Sequence, residues 1–162
     1  MKKNHEFPSN TIALLAKKIK GSVVGQDYVD WAVQALTEDF DSPSLAILAS
    51  LDIPNDFSLW EAEKYFQSVV SELGWSIPDD ETILRTHFIA LVSNIQNGTI
   101  DPEIGVDRIH REVISPLEHP SDLQGWCLLW EGNSPTRYEP IPKEEYASRI
   151  VEFAEAWMTE RK

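Results

Sequence analysis

The sequence predicts an all-α fold: a single-domain irregular bundle of about seven to eight helices over residues 1–162. Apolar residues recur every three to four positions along most of the chain, which is the period of a helix. The ten prolines and seven glycines lie almost entirely at the edges of these periodic segments. No strand-like pair with a hairpin turn occurs, and strict alternation of apolar and polar residues is nowhere sustained. Residues 1–9 are expected to be loosely ordered.

The first two helices are predicted before residue 41. Asn10 is placed to cap a helix over residues 11–20, which ends at Gly21. The second helix covers about residues 26–40. Its apolar stripe consists of Val29, Val33, Leu36 and Phe40.

Two strong helix starts follow. Ser42 before Pro43 is typical of a helix beginning, because the N–H that proline lacks would be unbonded there. The helix over 43–51 is apolar nearly all round, which predicts a place at the centre of the core. Ser58 and Glu61 form a capping box, in which each side chain can bond to a free backbone N–H at the start of the next helix. That helix continues to about residue 73.

In the second half of the chain, helix ends are marked by the same types of residue. A helix is predicted over about residues 80–96, and a sixth from Asp101 to about residue 115. The stretch 122–130 is too short to decide between a buried helix and a strand. A long loop is predicted over residues 133–142, and a last helix is expected over 143–161. Its inward side chains are Tyr146, Ile150, Phe153 and Trp157.

The chain is strongly acidic, with 27 Asp and Glu against 14 Lys and Arg and a net charge of −13. Such a chain is repelled by phosphates and by anionic lipid, so we expect neither nucleic-acid nor membrane binding. The single Cys127 excludes an internal disulfide framework. No membrane-spanning or export-signal pattern is present, which predicts a cytoplasmic protein.

An acidic exterior is ordinarily a device for solubility, and it is also suited to a basic protein partner. Trp31 and Trp60 lie at the margins of their helical stripes, where an exposed ring could anchor such a partner. Packing at the rim of the core is the other interpretation of both rings. The candidate partner-binding residues are Trp31, Trp60, Glu38, Asp39 and Asp41.

Catalytic motifs are missing. The sequence has no nucleophile elbow, no phosphate-binding glycine loop and no H-E-x-x-H. Cys127 lies among Trp126, Leu128 and Leu129, which favours a small buried side chain over a nucleophile. We therefore predict no catalytic residue and no cofactor.

The alternative is a divalent metal on the sixth helix. Glu103, Asp107 and His110 follow at i, i+4 and i+7 and share one ridge, where two carboxylates and an imidazole could hold a cation or act as acid and base. A solvated flank with ordinary surface ion pairs is the competing interpretation. A zinc site made from His110, His119 and Cys127 has no recognised spacing and is not predicted. His87 is expected to be a hydrogen-bonded core histidine.

One stretch carries a resemblance. The segment Trp31-Ala32-Val33-Gln34-Ala35-Leu36, followed by Asp41-Ser42-Pro43-Ser44-Leu45-Ala46-Ile47-Leu48-Ala49, resembles a W-A-x-x-A-L…D-S-P-S-L-x-x-L-A pattern of small uncharacterised bacterial proteins. Some of these are similar to the immunity proteins that accompany polymorphic toxins. The resemblance covers about 20 residues and implies a bacterial, cytosolic, all-α protein. It supplies no catalytic residue.

The sequence thus leaves three hypotheses. The preferred one is a non-enzymatic interaction module, similar to an immunity protein or antitoxin, that binds a basic partner through its acidic surface. The second is a metal-binding protein or metal-assisted enzyme that uses the ridge of Glu103, Asp107 and His110. The third is a subunit of a homo-oligomer.

Overall fold

A computed structural model describes residues 7–51, 58–132 and 141–161. These residues contain α-helices and no strands, so the all-α prediction is confirmed. None of their helices is both long enough and apolar enough to cross a bilayer. The eight α-helices are α1 (Thr11–Lys20), α2 (Gly25–Thr37), α3 (Pro43–Ala49), α4 (Leu59–Glu72), α5 (Asp80–Gln96), α6 (Pro102–Ile109), α7 (Gln124–Glu131) and α8 (Lys143–Thr159).

The chain divides into two compact units. Unit 1 is Met1–Asp80 and contains α1 to α4, whereas unit 2 is Glu81–Lys162 and begins in the first turn of α5. Most of the predicted loop over 133–142, and residues 1–6 of the N-terminal segment expected to be loose, lie outside the described residues. Of that N-terminal segment, Phe7 packs edge-on against Trp75 and Pro8 is buried.

The core of unit 1 is aromatic. Trp31 on α2 contacts Phe66 on α4 with ring centroids 4.9 Å apart, and Tyr28 lies 5.5 Å from the same ring. Helix α3 buries Leu45 and Leu48 completely and packs against both α2 and α4. The prediction that this helix is surrounded by the core is only partly confirmed, because Ile47 on its other side is 43% exposed.

The stripe predicted for α2 is right at Val29, which is buried, and wrong at its next two positions. Val33 and Leu36 are exposed, and the helix buries the face that carries its two largest rings and two alanines. Trp31, expected at the margin and available to a partner, is only 1% exposed. Its indole Nε1 donates to the Thr11 hydroxyl at 2.9 Å, so both the ring and its polar atom are satisfied inside unit 1.

Helix α2 also ends earlier than predicted, because Asp39 adopts a left-handed conformation with φ 65°. The Phe40 N–H then bonds to the Ala35 carbonyl and the Asp39 N–H to that of Leu36, which is the Schellman ending. Gly21 closes α1 in the same way with φ 76°.

The predicted capping bonds are confirmed at two of three helix starts in unit 1. The Ser42 Oγ accepts from the Leu45 N–H, and Ser58 with Glu61 forms the capping box. Asn10 makes no capping bond, and its side-chain oxygen is buried without a hydrogen-bond partner.

Unit 2 is built around Trp126, which is fully buried on α7. The rings of Phe88 on α5 and Phe153 on α8 contact it edge-on, with ring centroids 5.7 and 4.9 Å from that of Trp126.

Two helix predictions in unit 2 are refined by the structure. The stretch 122–130, for which the sequence did not decide between helix and strand, is a short 3₁₀ turn (Ser121–Leu123) followed by α7. The predicted sixth helix is α only as far as Ile109 and continues as a π turn over His110–Ile114.

Candidate metal centre

Three strong metal donors converge in unit 2: His110, His119 and Cys127, here called the metal triad. One ligand atom from each, a ring nitrogen or the sulfur, lies within 4.8 Å of the other two. The sequence spacing predicts no such site, and the fold nevertheless brings these three donors together. Cys127 is buried, His110 half-buried and His119 exposed, so the triad runs from the protein interior to the surface.

His110 opens the π turn that follows α6. The N–H of Ser115 bonds to the His110 carbonyl at 2.9 Å, a spacing of five residues that admits one extra residue into the turn. A helix wheel with a constant α period therefore fails from His110 onward. Such π turns are frequent at functional sites.

His119 is placed by the reversal that ends this helical segment. Its N–H bonds to the Ile114 carbonyl, and the Glu118 N–H bonds to that of Ser115. Glu118 and His119 both have left-handed backbones, with φ of 57° and 59°, which costs roughly 1–2 kcal/mol for each residue. The reversal brings the His119 ring back to the His110 ring, with centroids 5.7 Å apart.

Cys127 lies in the middle of α7 and is 6% exposed. Burial, assisted by the charge of Glu131, raises the pKa of its thiol. In the absence of a metal the thiol is therefore protonated at neutral pH. A bound cation reverses this preference, since a coordinating thiol gives up its proton.

The His110 ring is held in place by Trp130. The two rings are parallel, with an interplanar angle of 1° and centroids 3.7 Å apart. The Trp130 indole Nε1 donates to Asp107 at 3.2 Å, and Arg111 pairs with the same carboxylate. This chain of contacts fixes the plane of the imidazole, which is the task of the outer contacts around a metal site.

The charge state of His110 suits a ligand. Burial, together with the neighbouring His119, lowers the pKa of His110 below its ordinary value of 6.5. Its neutral form therefore predominates at pH 7. Neutral imidazole is the form that binds metals.

The distances match a site that contracts slightly on binding. With bonds of 2.0–2.1 Å to nitrogen and 2.3 Å to sulfur, tetrahedral zinc places its ligand atoms about 3.3–3.6 Å apart. The triad atoms would have to approach by up to about 1.5 Å, a shift within the reach of side-chain rotation. Two imidazoles and one thiolate select zinc or copper over magnesium or calcium.

The predicted ridge is arranged differently. Of Glu103, Asp107 and His110, only His110 belongs to the triad. Asp107 accepts a hydrogen bond from the Trp130 indole and forms an ion pair with Arg111. Burial raises the pKa of Tyr146 to about 12, and the charges of Glu103 and Asp107 add to this effect.

As predicted, His87 is buried and hydrogen-bonded: its Nε2 lies 2.7 Å from the Glu112 carboxylate.

The partner-binding candidates lie in unit 1. Trp60 is 68% exposed on α4, and Lys64 lies over its ring at 5.5 Å. This face forms a shallow concavity of about 600 Å³. Asp39 and Asp41 are exposed, whereas Glu38 accepts hydrogen bonds from Ser9 and Gln34.

No protein-family model, curated protein or solved structure matches this chain. The site therefore has to be understood from its own chemistry. Sequence reasoning missed the association of His119 and Cys127 with His110, although one signal was available. Two of the four histidines and the only cysteine fall between positions 110 and 127.

Proposed function

We propose that this protein binds one transition-metal ion of the zinc and copper class at the metal triad. The convergence of the ligand atoms of His110, His119 and Cys127 within 4.8 Å carries the proposal. These side chains come from the π turn, from the reversal that follows it and from α7. The exposed His119 gives the ion a route in from solvent.

The supporting contacts agree with this function. The His110 ring is held by stacking on Trp130, and its neutral form predominates at pH 7. Cys127 is buried beside it, where a thiolate would be unstable unless a cation neutralised it. His110 therefore offers a free ring nitrogen at pH 7, whereas an ion bound at Cys127 has to displace the thiol proton.

The test is a titration of metal-free protein, prepared without a histidine tag, with Zn²⁺ and separately with Mg²⁺. We expect one Zn²⁺ per chain and no Mg²⁺ binding. His119→Ala and Cys127→Ser should each abolish tight Zn²⁺ binding. Glu103→Gln is the matched control and should bind as the parent does.

Two results would contradict the proposal. One is parent protein that takes up no Zn²⁺ or copper. The other is binding that survives Cys127→Ser and is lost in Glu103→Gln, which would favour the ridge of Glu103, Asp107 and His110.

A second function, the interaction module, is favoured by one observation: the exposed ring of Trp60. The face of an indole attracts cations, and Lys64 already lies over this one. Together with the net charge of −13, this supports a partner segment rich in Lys or Arg.

A short lysine-rich peptide serves as the probe for this second function. Binding should be strongest at low salt and should weaken in Trp60→Ala. Val24→Ala removes another exposed apolar side chain of unit 1 and is the control. Peptide binding that is equal in the parent and in Trp60→Ala would exclude Trp60 as the anchor.

A further inference from the structure

The metal triad supplies three ligands, which leaves one position of a tetrahedral ion to be filled. Structural zinc sites are closed by a fourth protein ligand, whereas an open site keeps water there. A protein ligand at this position has to lie near Cys127 and His110. The last turn of α7 follows Cys127 directly and contacts His110 through Trp130.

Glu131 lies one helical turn after Cys127, at i+4 on the same face of α7. Two ligands at i and i+4 on a helix form a natural chelating pair, as in the H-E-x-x-H zinc motif. Trp130, the residue before Glu131, is stacked on His110 at 3.7 Å. This stacking places the last turn of α7 directly against the imidazole of the first ligand.

We propose that Glu131 is the fourth ligand and that the resident ion is consequently Zn²⁺, an inference that rests on the proposed function. A carboxylate oxygen is a good ligand for Zn²⁺, at about 2.0–2.2 Å. It is a poor one for Cu⁺, which prefers thiolate and thioether. The complete set is His110, His119, Cys127 and Glu131.

The neighbouring acid Asp107 is less suitable. Its carboxylate accepts from the Trp130 indole and pairs with Arg111, so ligation would break two contacts that hold the His110 ring. Glu131 is exposed and makes no hydrogen bond or ion pair within the described part of the chain. Its carboxylate is not among the donors that already lie within 4.8 Å of one another, so the exposed side chain has to turn toward the triad to complete the site.

The experiment measures Zn²⁺ and Cu⁺ affinities by competition with a chelator. Glu131→Gln should weaken Zn²⁺ binding by at least about 10-fold, the lower limit for residues that only orient a ligand. Its Cu⁺ affinity should stay close to that of the parent. Glu118→Gln is the matched control: it removes the same charge beside His119, and we expect a change of less than about 3-fold.

Glu131→His separates ligation from simple attraction between charges. A histidine at this position is neutral but can bind zinc, so it should restore most of the affinity that Glu131→Gln loses. Equal losses in Glu131→Gln and Glu118→Gln, without restoration by Glu131→His, would overturn the inference.

The two proposals fail in different ways. If the parent binds Zn²⁺ and Glu131→Gln binds it equally well, Glu131 is not a ligand and the proposed function stands. If the parent binds neither Zn²⁺ nor Cu⁺, the proposed function fails and the inference fails with it.

Discussion

At the scale of single residues, Glu112 is the carboxylic acid whose pKa is lowered furthest within the part of the chain that the structure describes. Burial alone would raise its pKa, but hydrogen bonds from His87 and Arg108, together with their charges, outweigh burial and lower the pKa to about 2. The guanidinium of Arg108 bonds to both carboxylate oxygens, at 2.9 and 3.1 Å. The ionised form is therefore stabilised in the folded protein relative to the unfolded chain.

This shift predicts a specific dependence of stability on pH. Because the folded pKa lies below the unfolded value of about 4.5, the stabilisation is complete above about pH 5 and is lost as the pH falls toward 2. Glu112→Gln should lower the free energy of unfolding by about 2–3 kcal/mol at pH 7 and by less than half of that at pH 3. Denaturant titrations in the presence of a metal chelator measure this difference.

The control for Glu112→Gln is Glu152→Gln, which alters an exposed acid on α8. It should change stability by less than about 0.5 kcal/mol at either pH. A cost of Glu112→Gln that is the same at pH 7 and at pH 3 would mean that its ionisation is not the source of the stabilisation.

Individual residues were predictable where local chemistry decides. His87 was expected to be buried and bonded because it lies one turn from apolar neighbours, and it is. Trp31 was misplaced, because its burial depends on Thr11 and Phe66, which are distant in sequence. Cys127 was correctly expected to be buried, but its neighbours in sequence gave no sign that two histidines would approach its sulfur.

At the scale of elements, caps decide where helices begin. The Ser42 Oγ accepts from the Leu45 N–H at 3.2 Å and is buried at the start of α3. Ser42→Ala should destabilise the protein by about 1 kcal/mol, because it leaves that N–H without an acceptor. Thermal or denaturant unfolding measures the change.

Ser50→Ala provides the comparison at the other end of α3. The Ser50 hydroxyl donates to the Ile47 carbonyl on the exposed surface, where water can replace it. Its loss should cost less than about 0.5 kcal/mol. If the two variants cost the same, the cap of Ser42 is not what stabilises the start of this helix.

Helix bounds followed from sequence where both ends carry a local signal. The predicted helices over 11–20 and 80–96 agree with α1 and α5 at both ends. Helix α2 was predicted too long, because Asp39 takes a left-handed conformation usually taken by glycine. The π turn was not predictable from periodicity, since it adds one residue within a continuous apolar stripe and changes its phase.

At the scale of the whole molecule, metal binding should stabilise the folded chain. The triad spans His110 to Cys127, and its contacts are absent in the unfolded state. At free Zn²⁺ equal to 100 times the dissociation constant, the gain is about 2.7 kcal/mol. For a chain of this length the melting temperature should rise by about 5–10 °C relative to protein with chelator.

Variants identify where the stabilising ion binds. Cys127→Ser should lose the rise in melting temperature, and Glu103→Gln should keep it. An equal rise in the parent and in Cys127→Ser would show that Zn²⁺ acts elsewhere on this acidic chain.

The fold class was predictable because helical periodicity, prolines and glycines agree along the whole chain. The candidate site was not, because it depends on a chain reversal at Glu118 and His119 that no local sequence rule requires of these residues. The fold brings distant donors together, and only their three-dimensional arrangement reveals the site.

The central claim is that one metal ion is held by sulfur from Cys127 and nitrogen from His110 and His119. X-ray absorption spectroscopy of the zinc-loaded protein tests it most directly. We predict one sulfur neighbour at about 2.3 Å and nitrogen or oxygen neighbours at about 2.0–2.1 Å, with the sulfur signal absent in Cys127→Ser. A first coordination shell of oxygen alone in the parent protein would contradict the account.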